Sequence, residues 1–337
     1  MAVPINQSIE KKMNNILYAD IGNYSVLASV DGNDISQMRS LIYDTTYNSE
    51  CQNNIHPIES PMIELGAKKY KLGFLASKFD GFLSAAEFGK SKTELILPIL
   101  LANSPDGFDG TVKLLVPNDD ISTQKFIKSA VIGTHEYKLY SDGTVIDTVV
   151  SYNDVTFERE TDAAARYAFE SGILDAEDVA LVIDIGGGTI NVVVCDVENG
   201  FYVRYRNSYP NQGGINLAQT ILATDLVRDY KKNFEVSKVM DAITRGERTI
   251  GRNRDYTFEP IYNDCVDQWL KAILSKVMAS VDKQLDDVTR IVWTGGGAEI
   301  IRHKIINKGM HLILPEPQLA NLYGLMGQTK TQPLIAA

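Results

Sequence analysis

Three clusters of residues in this chain have the types and spacing to do chemistry. The first is Asp184-Ile185-Gly186-Gly187-Gly188-Thr189, set between the apolar runs Leu181-Val182-Ile183 and Ile190-Asn191-Val192-Val193-Val194. Glycines let backbone N–H groups approach a phosphate, and a turn of such residues forms a concavity of oriented donors. Asp184, at the strand end, would face whatever sits there, most usefully a divalent cation or a water. The second cluster repeats the first. Leu17-Tyr18-Ala19-Asp20-Ile21-Gly22-Asn23-Tyr24-Ser25 lies on the later stretch without a gap: Leu17 on Leu181, Asp20 on Asp184, Gly22 on Gly186, Ser25 on Thr189. One such stretch alone is equally a plain hairpin turn. The repetition argues against coincidence and implies two similar half-molecules, their turns facing each other with a nucleoside triphosphate clasped between.

The third cluster is Glu158-Arg159-Glu160, just ahead of the Ala-rich stretch 161–168. A carboxylate before a helix and between the two hairpins is well sited to orient an attacking water; helix-dipole compensation in solvent is the competing reading. Gly213-Gly214 opens a further helix, where a ligand can approach the backbone, although a simple loop fits as well. Gly295-Gly296-Gly297, after Arg290-Ile291-Val292-Trp293-Thr294, would let a flat adenine ring lie against the chain. Arg245-Gly246-Glu247-Arg248 reads as a charged helical stretch with solvated side chains. His56, His135, His303 and His311 lack metal-ligand spacing, which argues against a zinc site.

The elements that must position these groups follow from periodicity. Strands are expected over 15–20, 24–30 and 36–43, with turns at Asp31-Gly32 and, in the second copy, Asn199-Gly200. Val112-Lys113-Leu114-Leu115-Val116 is a buried strand stopped by Pro117. Helices are expected at Thr93 to Ala102 and over 121–131, and a hairpin within 135–154 turns at Asp142-Gly143. The Ala-rich helix has Thr161 or Asp162 as N-cap and Gly172 as its close. Further helices run from Gln212 to about Tyr230, over 241–251, from Asp267 to Leu285 and over 315–325. The 267–285 helix carries Leu270, Ile273, Leu274, Val277 and Val281 on one face. Residues 46–89, rich in Gly and Asn, hold short strands and turns of an inserted subdomain.

Composition bounds the rest. The 337 residues are 44% hydrophobic and 23% charged, enough for two domains with ample core. A formal net charge of −10 argues against direct nucleic-acid binding through the whole surface. Cys51, Cys195 and Cys265 are widely spaced, odd in number and read as reduced thiols, with Cys195 a packed strand residue. No stretch is apolar enough to span a membrane and no signal-peptide core opens the chain, so a cytoplasmic protein is expected. The polar start, with Val3, Ile5, Ile9 and Met13 scattered through it, reads as a flexible tail over 1–12; a weak amphipathic helix is the alternative. The expected division is a first domain of 13–170 plus 320–337 and a second of 171–319, with no low-complexity linker between them.

Taken in order, Asp20-x-Gly22, Glu160-x-x-Ala163-Ala164, Asp184-x-Gly186-Gly187-Gly188-Thr189, Gly213-Gly214 and Thr294-Gly295-Gly296-Gly297 resemble the actin, heat-shock chaperone and sugar-kinase superfamily over nearly the whole chain. The stretch 127–167 and the ending Ala320-Asn321-x-Tyr323-Gly324 resemble, within it, the bacterial plasmid-segregation actins of the ParM/StbA group. That resemblance implies an α/β, actin-like fold of two duplicated ribonuclease-H-like domains around a nucleotide cleft. It implies an ATPase that takes ATP/ADP with Mg2+ and forms dynamic head-to-tail filaments. A DNA-binding adaptor would link these to DNA; no membrane is involved. Carried over residue by residue, Asp20, Gly22, Asn23 and Tyr24 belong to the first phosphate motif and Asp184 to Thr189 to the second. Asp20 and Asp184 hold Mg2+ through water, and Glu160 positions the hydrolytic water, with Glu158 in reserve. Gly213 and Gly214 lie near the ribose and phosphates, Gly295 to Gly297 near the adenosine, and Glu247 with Arg248 where relatives contact ribose or base. Two departures stand out: Leu27 occupies a place where many relatives carry Lys or Thr, and Arg159 replaces a proline before Glu160. The alternatives are a monomeric phosphotransferase or chaperone-type ATPase on the same fold, or an actin relative of cell shape or division. A chaperone is not expected, because this sequence ends soon after the expected hinge helix, without a stretch for a peptide-binding domain.

Overall fold

The computed structural model describes residues 15–48, 56–78, 93–198, 202–305 and 309–328. The tail, Cys51 and the Asn199-Gly200 turn lie outside the described residues.

The first half is built from β1 (Asn15–Ile21), β2 (Ser25–Val30), β3 (Ile35–Arg39), β4 (Ile42–Asp44), β5 (Met62–Leu65), β6 (Lys68–Leu72), α1 (Thr93–Ala102), β7 (Asp109–Val116), α2 (Ile121–Val131), β8 (Gly133–Ser141), β9 (Thr144–Arg159) and α3 (Glu160–Glu170). The second half contains β10 (Val179–Ile185), β11 (Thr189–Asp196), β12 (Tyr202–Pro210), α4 (Gly214–Leu222), α5 (Asp225–Arg228), α6 (Val236–Thr244), β13 (Thr249–Ile250), β14 (Tyr256–Thr257), α7 (Glu259–Ser280), β15 (Arg290–Thr294), α8 (Gly296–Ile305) and β16 (His311–Ile313). A last helix, α9 (Ala320–Met326), returns to the middle of the molecule.

The duplication read from two short motifs extends to both sheets. One has the order β3-β2-β1-β7-β9-β8-β5-β6-β4, the other β12-β11-β10-β15-β16. Within the first, β3-β2-β1-β7-β9 joins two antiparallel pairs to two parallel ones. The second sheet repeats that sequence of pairings strand for strand. The described part of the 46–89 stretch supplies β5 and β6, which continue the far edge of the first sheet through β8.

β10 is buried on both faces, which is why it reads as a continuous apolar run up to Asp184. Leu181, Ile183 and Ile185 pack with Leu217, Val239, Trp269 and Trp293 on one side. Ala180 and Val182, on the other, meet Ala164, Ala165 and Ala168 of α3 and Tyr323 of α9. The first sheet in turn gives Tyr18, Leu27 and Leu115 to Ala163 of α3 and to Leu322 and Leu325 of α9. These two small-residue helices are therefore the layer between the sheets, and they cross closely. A Cβ on Gly324 would overlap the carbonyl oxygen of Ala163. Gly324→Ala is expected to cost on the order of 1–3 kcal/mol by overpacking this crossing, read as a lower melting temperature by circular dichroism. An unchanged melting temperature would mean that the crossing has slack.

Several boundaries differ from the sequence reading. The 267–285 helix starts earlier, at Glu259, because Pro260 suits its first turn and Tyr262, Cys265 and Val266 already face the core. The 212–230 helix is broken at Thr224, whose backbone is extended and whose hydroxyl bonds back to Ile221 O. The charged stretch is not helical: Gly246, at φ +72°, ends α6, and Glu247 N–H closes on Ala242 O. α9 begins at Ala320 rather than at Pro315. Neither Thr161 nor Asp162 is an N-cap. β9 stays paired to β7 through Arg159 and runs straight into α3, leaving both residues inside its first turn.

Candidate functional site

Where the two duplicated hairpins face each other, a cleft of about 770 Å³ opens. Both turns close by the same bond, Gly22 N–H to Ser25 O at 3.0 Å and Gly186 N–H to Thr189 O at 2.9 Å. They also touch. A Cβ on Gly187 would come within 2.8 Å of Tyr24, and one on Gly188 within 2.8 Å of the Asn23 amide. In the second turn the carbonyls of Gly186 and Gly187 accept from Gly214 N–H at 3.0 Å and Ile215 N–H at 2.8 Å. With those oxygens turned to the start of α4, the N–H groups on the opposite side of the same peptides point away from the helix. Gly213 sits behind the turn, so close to Gly186 and Gly187 that a side chain would collide with their carbonyls.

Of the residues singled out in the sequence, Asp20, Gly22, Asn23, Tyr24, Glu160, Asp184, Gly186, Gly187, Gly188, Thr189, Gly214, Gly295, Gly296 and Gly297 line the cleft. Gly213 supports it from behind. Glu247 does not line it: its carboxylate is taken by Arg245 at 3.3 Å and Arg254 at 2.7 Å. Its neighbour Arg248 does line it, with the guanidinium 3.6 Å over the Tyr262 ring. The solvated-charge reading of that stretch is therefore corrected for Arg248. Glu158 is turned away and paired with Arg166 at 2.6 Å.

Asp184 is 3% exposed and accepts a 2.8 Å hydrogen bond from the Asn321 amide. Burial, then the nearby charge of Glu160 and, less, that of Asp20, push its carboxyl up to about 8, against the Asn321 bond that lowers it. Such an excess of negative charge is the setting that a hard divalent cation relieves. Among the described residues no group of three or more His, Cys, Asp and Glu is arranged to hold a metal by itself. Glu160 accepts a 2.8 Å bond from the Asn191 amide.

The cleft is bridged near its far side. Tyr24 donates to Asp241 of α6 at 2.7 Å, and Arg39 lies 3.9 Å over the Tyr24 ring while its guanidinium also bonds Asp241. Lys238, on the same helix, sits 5.5 Å from the Phe74 ring of the first half. The partners Asn191, Asn321, Arg39 and Asp241, and Ser208, whose hydroxyl donates to Asn191 at 2.7 Å, are not singled out as site residues in the sequence. Asn191 had a signal, being a polar residue inside an apolar strand two positions after the turn. The others meet the site only through long-range pairing. Among the described residues no helix is long and apolar enough to cross a membrane.

A family model for the C-terminal part of the MreB-like archaeal actin homologues matches residues 182–307. No curated protein sequence matches the chain. Among solved structures, the crystal structure of the archaeal actin homologue Ta0583 superposes with a TM-score of 0.74 at 15% identity, covering 93% of this chain and 98% of that one. A non-polymerisable mutant of pCBH ParM gives 0.73 at 16% identity, with the same coverage. The 15-stranded ParM filament from Clostridium botulinum gives 0.71 at 18% identity, again over 93% and 98%. The chain has the actin-like fold, in the form shared by archaeal actin homologues and ParM proteins.

Proposed function

We propose that this chain binds and hydrolyses ATP in the cleft and polymerises head to tail into dynamic filaments, most naturally for segregating plasmid or other DNA through a DNA-binding adaptor in the cytoplasm. The observation that carries the reading is the pair of duplicated Asp-x-Gly turns facing each other, with Glu160 lining the same cleft as their two aspartates. The crystal structure of the Ta0583 homologue in complex with ADP and the Clostridium botulinum ParM filament support it as analogies of fold.

In this reading, N–H groups of the two turns other than the closing Gly22 and Gly186 donors, within residues 23–25 and 187–189, bind the phosphates and stabilise charge on the transferring group. Asp20 and Asp184 would hold Mg2+ through water, and that ion, when bound, would neutralise the β- and γ-phosphates. Glu160 orients the attacking water or takes its proton. Arg248 on Tyr262 forms one wall for ribose or base, and Gly295 to Gly297 the other. Leu27 is buried under α9, so phosphate binding rests on backbone donors at that place. The halves, 13–170 plus 320–337 and 171–319, hinge about α3 and α9. Closure of one on the other presents surfaces that stack heterologously, and contacts that do not close into a ring make filaments.

The test is pelleting and light scattering of the purified chain with Mg-ATP, Mg-ADP and no nucleotide, with phosphate followed in parallel. ATP-dependent polymer that decays as phosphate appears is the expected result. Turnover without polymer at any workable concentration would leave a soluble phosphotransferase or regulatory ATPase on this fold.

A further inference from the structure

Glu160 begins α3 directly from a strand, and the residue before it, Arg159, makes no side-chain cap. A carboxylate on a first helical turn has several rotamers open to it, and a hydrogen bond selects among them. The second sheet supplies that grip. Asn191 on β11 shares a sheet face with Val193 and Cys195, which pack on the alanines of α3. That alternation brings Asn191, 7% exposed, against the first turn of the helix, where its Nδ2 donates to Glu160 Oε2 at 2.8 Å. Directly across the ladder, Ser208 of β12 is the register partner of Asn191, and its hydroxyl donates to Asn191 Oδ1 at 2.7 Å.

The order of these two bonds matters. An amide has a donor end and an acceptor end, and the Ser208 hydroxyl on Oδ1 leaves Nδ2 for the carboxylate. The reverse orientation would set Oδ1 against the carboxylate of Glu160, two acceptors face to face. Two residues along β12, Arg206 takes Asp162 at 2.6 Å and so holds the same helical turn from its next position. Four side chains of β11, β12 and α3 thus clamp the turn that carries Glu160.

We infer that Asn191 is a positioning residue for hydrolysis: it sets the Glu160 carboxylate toward the attacking water, and Ser208 sets Asn191. The inference rests on the reading of Glu160 given above. It assigns the step to a neutral donor, which bonds Glu160 without adding a fourth negative charge beside Asp20, Asp184 and Glu160.

A double-mutant cycle on single-turnover phosphate release, followed for hours so that slow variants are still measured, tests this. Asn191→Ala is expected to slow release roughly 10–100-fold, as loss of an orienting partner does, with the Kd for a fluorescent ATP analogue unchanged. Combined with Glu160→Gln it should add nothing, because an acceptor that no longer works need not be aimed. Ser208→Ala, at an exposed strand position, should give a smaller loss that Ser208→Thr restores. Equal slowing by Asn191→Ala in both backgrounds overturns the inference while leaving Glu160 in its role. Weakened analogue binding in step with the rate also overturns it, since Asn191 would then serve nucleotide affinity. A Glu160→Gln variant as fast as the unaltered chain overturns the reading of Glu160 itself.

Discussion

Glu160→Gln is expected to slow phosphate release by about 10²–10⁴-fold, while ATP still binds and polymer still forms. The substitution keeps the shape of the side chain and its ability to accept from the Asn191 amide, so the first turn of α3 stays as it is. What it removes is the capacity to take a proton from water. In the proposed reading the N–H groups that bind phosphate come from the two hairpins and not from α3, so affinity should change little. Filaments of this variant should therefore outlast those of the unaltered chain at equal ATP. The measurement is phosphate release against light scattering over the same hours. A variant with full turnover would remove Glu160 from the water. Glu158→Gln is the companion: because Glu158 is spent on Arg166, it should leave the chemical step intact.

The parts of this site that were legible in the sequence are those whose chemistry is local. Asp20-x-Gly22 and Asp184-x-Gly186 sit at strand ends before turns that close on themselves, and the closing bond spans three residues in both copies. Nothing distant is needed to make them. Asn321 reaches Asp184 across 137 residues, and Ser208 meets Asn191 only because β11 and β12 pair in one register. No spacing rule carries such facts. The charged stretch shows a different failure. Arg245-Gly246-Glu247-Arg248 held the signal of a helix stop in Gly246, yet its charges were read as a solvated helical face. The turn sends Glu247 outward to two arginines and Arg248 inward onto Tyr262. The N-cap was misplaced for a related reason. Propensity favours Thr161 or Asp162 at a helix start, but the β7–β9 ladder holds the chain extended through Arg159, and the pairing decides where the helix can begin.

Asp184→Asn should raise stability and abolish turnover in the same molecule. In the folded chain without nucleotide, burial and the charges of Glu160 and Asp20 hold the Asp184 proton to about pH 8, whereas an ordinary Asp releases it near 3.8. Between those values the folded state binds a proton that the unfolded state does not, so stability falls as pH rises through the window and is lowest above about 8. At neutral to mildly alkaline pH the burial of a carboxylate beside two others is a cost. Asparagine removes that cost and still accepts from Asn321. The gain expected at pH 8 is several kcal/mol, at about 1.4 kcal/mol for each pH unit of that window, with the fall in stability between about pH 4 and 8 flattened. Carboxyls held low by partners, such as Asp119 beside Arg159 and Glu64 under Tyr140, act with the opposite sign and only in acid. Denaturant unfolding at several pH values, without nucleotide, reads the effect. Phosphate release with Mg-ATP reads the other half, expected to fall at least about 100-fold because the charge that would hold the cation is gone. A variant that is less stable at pH 8 would mean that the folded chain does not carry this strain. One that is more stable and fully active would place the cation elsewhere. Stability gained and activity lost together would mark the cost at Asp184 as one retained for binding, since the charge that burial resists is the charge that a divalent cation relieves.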